Sequence, residues 1–471
     1  MELLQSVVSF LNDMLWSRVI IALLIFMGLY FTIRTNFVQF RYFREMFRVI
    51  VESPGQKGNI SSLQAFFMST ASRVGIGNLA GVALAISLGG PGAVFWMWLI
   101  ALIGGASSFV ESTLAQIYKV KDENGYRGGP AYYMERGLNK RWMGIIFALL
   151  ITFSFGLVFN SVQANTITFA FENAFQIDRA VVGAVITIMT AVIIFGGVKR
   201  VAVASSIIVP VMAGLYLLVA FYVLVIHIAD IPAMFALIFK NAFGLEQAVG
   251  GGFGAAVMMG IKRGLFSNEA GMGSAPNAAA TAEVSHPVKQ GLIQTLGVFT
   301  DTLLVCSATA FMILLSGEYT KEGLDGIALT QAALSVHIGE WAKGFVAIIV
   351  FLFAYSSIIG NYYYGETNIE FIKSSKKVLF VYRLAVIGMV IWGSISSLQI
   401  VWNLADLFMA FMAIINLIAI FALGKVAFAA LKDYTEQRKQ GKNPVFYARN
   451  IGIDHVDCWN EEEYEELRKE A

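Results

Sequence analysis

Charge is what this sequence has least of. Asp, Glu, Lys and Arg make up 14% of its 471 residues, where soluble domains average about 25%. With 57% of residues hydrophobic and a mean hydropathy of +0.67, a soluble chain would lack the polar surface to cover itself. The net charge of +2 leaves no electrostatic footprint for a nucleic-acid partner. Cysteine is scarce too. Cys306 falls in an apolar run and Cys458 in the polar tail, so neither a disulfide nor a metal site is expected of them. The four histidines include no His-Glu-x-x-His and no pair at ligand spacing, which excludes a zinc-protease reading. The first apolar run follows Glu2 and Asp13, with no basic stretch before it and no small-residue cleavage site after it. A first spanning helix is expected there, not a signal peptide.

What the chain has in abundance is apolar runs of about 20 residues, the length of a membrane span. Eleven are expected, near 14–33, 62–88, 92–118, 142–170, 180–197, 202–227, 247–283, 288–315, 344–371, 378–395 and 399–423. The fold class is therefore an all-α polytopic membrane protein. Residues 34–60 are basic and amphipathic, which predicts a helix lying at the membrane interface. Short extra helices are expected at 230–241 and 327–340, and the tail from Lys425, with its acidic run at 461–466, reads as a solvated helix. Loops on the side of the tail hold eighteen Lys and Arg against five on the other side. The positive-inside rule then puts the N-terminus outside the cell membrane and the C-terminus in the cytoplasm.

Two runs are interrupted. Residues 69–81 read Ser-Thr-Ala-Ser-Arg-Val-Gly-Ile-Gly-Asn-Leu-Ala-Gly, and 264–274 read Gly-Leu-Phe-Ser-Asn-Glu-Ala-Gly-Met-Gly-Ser. Each interior glycine costs a helix about 1 kcal/mol against alanine. Backbone unwinds at membrane depth only where it lines a protein cavity or a solute. Paired interruptions in corresponding places point to a secondary-transporter site at the midplane. Setting the first helix aside leaves five spans from each break, and an odd number per half inverts the second half. The expected layout is an extra helix plus interfacial helix at 1–60, a first five-helix repeat at 61–228, a second at 229–425, and a polar tail at 426–471. The first and sixth core helices are the discontinuous ones.

The segments Gly75-Ile-Gly-Asn, Gly89-Gly-Pro-Gly-Ala-Val-Phe-Trp-Met-Trp, Gly128-Gly-Pro-Ala-Tyr-Tyr, Gly264-Leu-Phe-Ser-Asn-Glu-Ala-Gly, Val298-Phe-Thr-Asp-Thr and Tyr363-Tyr-Gly-Glu occur in this order. In them the chain, up to about residue 425, resembles the alanine-or-glycine:cation symporter family. The resemblance implies a leucine-transporter-like fold and uptake by alternating access, coupled to sodium or protons. It implies a small neutral amino acid of the alanine and glycine class, a range that the residue at 361, discussed below, extends to serine, asparagine or glutamine. A channel would want a repeated filter, and a sensor a signalling domain; neither is visible.

An amino acid presents a carboxylate and an ammonium. N–H groups of Ile76, Gly77 and Asn78, in the turn opened by Gly75 beside Ser72, suit the carboxylate. Carbonyls of Ala71 and Val74, and of Phe266 and Ser267 in the second break, suit an ammonium or a bare cation. The alternative, glycines serving only close helix packing, explains neither Asn78 nor the Asn268–Glu269 pair before Gly271. On the resemblance, sodium would be ligated by the hydroxyls of Ser356 and Ser357 with the carbonyls of Phe353, Ala71 and Val74. The two serines bonding back to their own helix is the competing reading. Gln163 matches a family glutamine facing the substrate, or belongs to a polar helix interface. Two departures from the family pattern stand out. Arg73 replaces a threonine of many members and would act as a fixed cation or turn to a carboxylate. Asn361 replaces a tryptophan of several members and leaves room for a longer, polar side chain. Asp301 is expected either to pair with Arg263 or Arg73 or to couple ions. Glu111 reads as structural, and His227 and His286 as solvated or capping.

Overall fold

A computed structural model describes residues 2–52, 60–122, 125–196, 198–244, 252–453 and 456–459. In chain order its main helices are α1 (Gln5–Arg34), α2 (Phe43–Val51), α3 (Ser62–Arg73), α4 (Ala80–Gly89), α5 (Ala93–Ile117), α6 (Arg141–Phe175), α7 (Arg179–Ile194) and α8 (Val198–Ile226). They continue with α9 (Ile231–Ala242), α10 (Phe253–Asn268), α11 (Ala275–Ala279), α12 (Pro287–Ser316), α13 (Gly326–Ile338), α14 (Ala342–Ile372), α15 (Lys376–Ile395) and α16 (Leu398–Lys439). Among the described residues, eight helices are long and apolar enough to span a bilayer, and the bent pair α3–α4 brings the number to nine. Of the remaining expected spans, 180–197 is realised by the 16-residue α7 and 247–283 by the 16-residue α10 with α11 after it. Residues 247–251 of that stretch lie outside the described residues. The expected extra helices are present as α9 and α13, and the stretch 34–60 contains the helix α2.

Outward faces stay apolar because lipid, not water, covers them. On α7, Val181, Val185, Ile188 and Val192 are all exposed. Inward contacts rely on small residues that let backbones close up. A Cβ on Gly260 of α10 would lie 2.4 Å from the carbonyl oxygen of Ala93, and one on Gly264 would lie 2.7 Å from Ile100. The core helices α5 and α10 therefore pack at a spacing only glycine permits.

Local signals set where helices start and bend. Ser61 caps α3: its hydroxyl accepts from the Gln64 N–H at 3.2 Å, while the Gln64 side chain accepts from the Ser61 N–H at 2.9 Å. Such a reciprocal cap satisfies two otherwise orphan donors. Proline opens α9, α11 and α12, where its missing N–H costs nothing. Among the described residues three spans carry π-helical turns, Leu15–Val19 in α1, Thr152–Phe159 in α6 and Thr300–Cys306 in α12. Extra residues in a turn re-aim side chains, and such bulges collect at functional sites.

The tail departs from the expected solvated helix. Helix α16 runs on to Lys439; beyond it the chain folds back onto the body. The Phe446 N–H donates to the Ser285 carbonyl at 2.9 Å, and the Trp459 indole to the Gln116 carbonyl at 2.9 Å. Phe446, Cys458 and Trp459 are buried. Apolar residues in this stretch can bury against the open helix ends, which a fully solvated helix could not offer. The acidic run at 461–466 lies outside the described residues.

Candidate functional site

The first break is built from glycine geometry. Helix α3 ends where the Val74 N–H reaches the Thr70 carbonyl, and the pair α3–α4 bends by 58° across the turn Ile76–Asn78. A Cβ on Gly75 would sit 2.3 Å from the Ser357 hydroxyl, and one on Gly77 would sit 3.0 Å from the Phe266 ring and 3.2 Å from the Ser267 Cα. Any side chain at either position would push the two breaks and α14 apart. The turn's N–H groups are less free than expected. Gly75 N–H donates to the Asn78 side-chain oxygen at 2.9 Å, Ile76 N–H makes a long 3.4 Å contact with the Gln163 oxygen, and Asn78 N–H donates to the Gly75 carbonyl. A capping asparagine is a short-range acceptor that holds a tight turn closed, so Asn78 is bound within the turn itself.

Asp301 joins the two breaks. Its carboxylate accepts from Asn78 Nδ2 at 2.6 Å, from the Ser267 hydroxyl at 2.7 Å and from its neighbour Thr302 at 2.9 Å. The π-turn in α12 aims Asp301 and Cys306 together, and the Cys306 sulfur lies 3.3 Å from Asn78 Nδ2 and 3.1 Å from the Ser267 hydroxyl. The expected pairing of Asp301 with Arg263 is wrong. Both Arg263 Nη atoms bind Asp406 instead, at 3.0 and 2.7 Å, in a bidentate fork. Arg263 belongs to α10 and Asp406 to α16, whose contact is a matter of packing. Arg73 does not pair with Asp301 either: it is 2% exposed and, among the described residues, donates only to the Gln294 carbonyl, at 3.2 Å.

Oxygens converge where α3 meets α14. The Ser357 hydroxyl lies 3.0 Å from the Ala71 carbonyl, 3.2 Å from the Ser72 carbonyl and 3.0 Å from the Phe353 carbonyl. The Ser356 hydroxyl lies 2.8 Å from the Phe353 carbonyl and 3.4 Å from that of Ala71. Both serines thus bond back to their own helix and also reach across to α3. Among the described residues neither hydroxyl donates to the Val74 carbonyl, the remaining oxygen of the expected set. One turn on, the Ser72 hydroxyl lies 2.7 Å from Asn361 Oδ1 and 3.0 Å from Glu269 Oε1. Gln163 and Asn361 both face the first break but make no bond to one another.

The second break is held by a carboxylate. Glu111 of α5 accepts from the N–H groups of Gly271 and Gly273 at 3.0 and 3.1 Å, and from Asn416 Nδ2 at 2.8 Å. Gly271 and Gly273 both have positive φ, 82° and 87°, a conformation open chiefly to glycine. Gly271 is therefore engaged by Glu111 and Asn416, away from the first break. Asn268 accepts from the Ala270 N–H, and Glu269 from the hydroxyls of Ser72 and Ser274. Phe266 and Ser267 lie in the last turn of α10, whose carbonyls have no successor N–H.

His286 caps α12, as expected, by accepting from the Val288 N–H at 3.2 Å, but it is buried and not solvated. His227, half-buried, meets His337 at 3.1 Å and Asp230 at 3.2 Å. Sequence reasoning missed Cys306, Asn416 and Trp402. The Trp402 ring lies 4.7 Å from the Phe266 ring and 4.7 Å from the Arg263 guanidinium, against the glycine-lined start of α4. No local signal marks them, since each looks like an ordinary residue of an apolar span.

The sodium:alanine symporter family matches residues 1–448. The probable sodium/glutamine symporter GlnT of Bacillus subtilis is 60% identical, over 97% of this chain and 96% of its own length. The amino-acid carrier protein AlsT of the same organism is 59% identical, over 98% and 99%. The sodium/alanine symporter AgcS of Methanococcus maripaludis is 38% identical, over 93% and 99%. Among solved structures, MhsT in complex with L-phenylalanine superposes with a TM-score of 0.54 at 15% identity, covering 84% of this chain and 92% of that one. That likeness concerns the leucine-transporter-like fold.

Proposed function

The chain belongs to the sodium:alanine symporter family, and from that premise we propose that it carries a neutral amino acid with an amide side chain, glutamine or asparagine, into the cell with Na+. The amino acid lies between the two breaks. Its carboxylate faces the backbone at Gly75–Gly77, and displaces the long contact between Ile76 N–H and Gln163. Its ammonium faces the carbonyls of Phe266 and Ser267. Na+ sits among Ser356, Ser357 and the carbonyls of Ala71, Val74 and Phe353, replacing hydrogen bonds of two hydroxyls that already lie near ligand spacing. The two halves run in opposite directions through the membrane, with the N-terminus outside and the C-terminus in the cytoplasm, as the loop charges favour.

One observation carries the substrate class. The Ser72 hydroxyl has a single proton, so it can donate to Asn361 or to Glu269 but not to both. The Asn361 amide nitrogen is buried and has no partner. Rotating that amide by half a turn would put its nitrogen on Ser72 and leave its oxygen unpaired instead. In either orientation one polar atom of a buried amide awaits a partner, and an unmet buried amide is costly. A substrate side chain ending in an amide meets it, whereas methyl or hydrogen does not. The similarity to a probable glutamine symporter supports the same class.

The test is an uptake panel in proteoliposomes with twenty radiolabelled amino acids, with and without an inward Na+ gradient, and with a pH gradient alone. Sodium-driven accumulation that includes glutamine or asparagine is expected. Exclusion of everything larger than alanine would remove the amide reading. Accumulation driven by the pH gradient alone would replace Na+ with H+.

A further inference from the structure

Each break has one half-helix that points to the end of the molecule where the tail begins, and the two meet there. Helix α3 enters the first break and α11 leaves the second. Just outside them, Ile60 and Ala282 pair in a parallel bridge, and the Glu283 N–H donates to the Ile60 carbonyl at 3.0 Å. Main-chain hydrogen bonding thus ties the outer ends of the two half-helices to one another. Helix α16 passes the same place, where its Asp433 lies 3.1 Å from the ring nitrogen of His286.

This joint is gripped from two sides. From α5, Gln116 Nε2 donates to the carbonyls of Ala279 and Ala282, the latter at 2.9 Å, and Lys119 Nζ donates to the Ala282 carbonyl at 3.0 Å. Those oxygens belong to the end of α11 and the turn after it, groups that a helix terminus leaves unmet. From the tail, the Pro444 carbonyl accepts from the Ser285 hydroxyl at 2.8 Å, and the Phe446 N–H donates to the Ser285 carbonyl at 2.9 Å. Asn443 accepts from Lys289 Nζ at 2.8 Å. The tail then reaches α5 itself. The Trp459 indole donates to the Gln116 carbonyl at 2.9 Å, and its ring lies 5.0 Å from Lys119 Nζ. The Phe446 ring packs edge-on against those of His286 and Trp459, at 5.2 and 5.3 Å. Phe446 and Trp459 are only 1% and 6% exposed, and burying two aromatic rings favours the docked tail over a solvated one. The tail therefore holds the joint at Ser285 and, through Trp459, the backbone of the residue whose side chain caps α11.

We propose that the tail segments 443–446 and 456–459 are a latch: docked, they keep the outer ends of α3 and α11 joined and the path from the breaks to the tail side shut. Opening that path requires the joint to move away from α5. That movement breaks the tail's hold either on Ser285 or on Gln116, so the docked tail favours one conformation over the other, which is what a population shift demands. This rests on the symport proposed above, in which the site opens to each side in turn. The latch acts on the balance of conformations and touches neither the amino acid nor the cation.

The experiment undocks the tail with Phe446→Ala plus Trp459→Ala in the full chain and takes two measurements. The first is hydrogen–deuterium exchange in detergent without substrate. Amides of 279–286 are expected to exchange at least about tenfold faster, equivalent to ~1.4 kcal/mol, while those of α13, beyond the far end of α12, keep the wild-type rate. The second is Na+-driven glutamine uptake into vesicles of each orientation. Apparent affinity scales with the fraction of protein in the competent conformation. Half-saturating glutamine therefore falls on the tail side and rises on the opposite side, whereas general damage to the fold would weaken both. Trp459→Phe keeps a ring beside Phe446 and loses the bond to Gln116. It shifts both measurements in the same sense by a smaller factor, and it serves if the double variant is not recovered folded. Unchanged exchange at 279–286, an equal rise in α13, or affinities that move together on the two sides overturns the latch. Wild-type protein that carries no glutamine sinks the symport reading instead, and the exchange measurement, which needs no substrate, still decides the latch.

Discussion

The two breaks solve one problem in opposite ways. Both unwind a helix inside a membrane protein, and both must give the freed backbone partners. The backbone of the first is closed by neutral groups, an asparagine within the turn, a glutamine from α6 and hydroxyls from α14, while the carboxylates of Asp301 and Glu269 take only the side chains of Asn78 and Ser72. The second is pinned by one buried carboxylate, Glu111, through two glycine N–H groups and Asn416. One side chain there satisfies three donors at 2.8–3.1 Å, all of which would be left unmet without it. The second break is thus an anchor, while the first has contacts weak enough to be exchanged for a ligand's. The long Ile76–Gln163 contact at 3.4 Å is the clearest instance. A half-helix that must bind, release and rebind benefits from partners it can give up, and a pivot does not.

The sharpest way to break this comparison is Glu111→Ala. It orphans three donors, each costing about 1–3 kcal/mol, so the thermal unfolding midpoint in detergent is expected to fall steeply. Loss of glutamine binding at an unchanged midpoint would make the second break the exchangeable one. Next comes Gly77→Val at the first break. A branched side chain there meets Phe266 and the Ser267 backbone, and affinity is expected to fall at least about 100-fold, equivalent to ~2.7 kcal/mol. Its melting temperature should drop less than that of Glu111→Ala; wild-type affinity in a monodisperse protein would refute an exchangeable first break.

Smaller effects sharpen the contrast through α14, which reads the first break and has no counterpart at the second. Asn361→Trp fills the space beside Ser72, and uptake should narrow to alanine and glycine. Steric exclusion of this kind discriminates by about 10–200-fold, measured as the ratio of glutamine to alanine uptake; an unchanged ratio would show that Asn361 does not set the pocket. Ser356→Ala with Ser357→Ala removes two hydroxyl ligands. A rise in half-saturating Na+ of about tenfold, ~1.4 kcal/mol, is expected, with uptake partly recovered at saturating Na+. Unchanged sodium dependence would move the ion elsewhere.

Much of the site was readable before any coordinates, because its signals are local. Gly-x-Gly-Asn forbids an unbroken helix whatever surrounds it, and a serine pair one turn before Asn361 marks a polar strip on an apolar span. The expected closeness of Ser356 and Ser357 to Ala71 followed from the family resemblance, and it is present at 3.0–3.4 Å. What went astray were choices among distant partners. Intramembrane charge alone leaves Asp301 open to Arg263, to Arg73 or to a coupling role, yet 143 residues along the chain Asp406 takes Arg263 in a fork.

The amino-acid sequence by itself determined the membrane class, the two interruptions, the family and the residue types available at each break. Tertiary structure alone decided who meets whom. It placed Glu111 under the second break, brought Cys306 and Trp402 to the first, left Arg73 without a carboxylate, and folded the tail back onto Gln116 and Ser285. The physical reason lies in the solvent. In water a helix advertises its inner face by hydrophobic periodicity, but a span flanked by lipid on one side and protein on the other is apolar all round. Its sequence records that it crosses the membrane and not which way it is turned, so the pairing of its few polar groups is settled only when the helices pack.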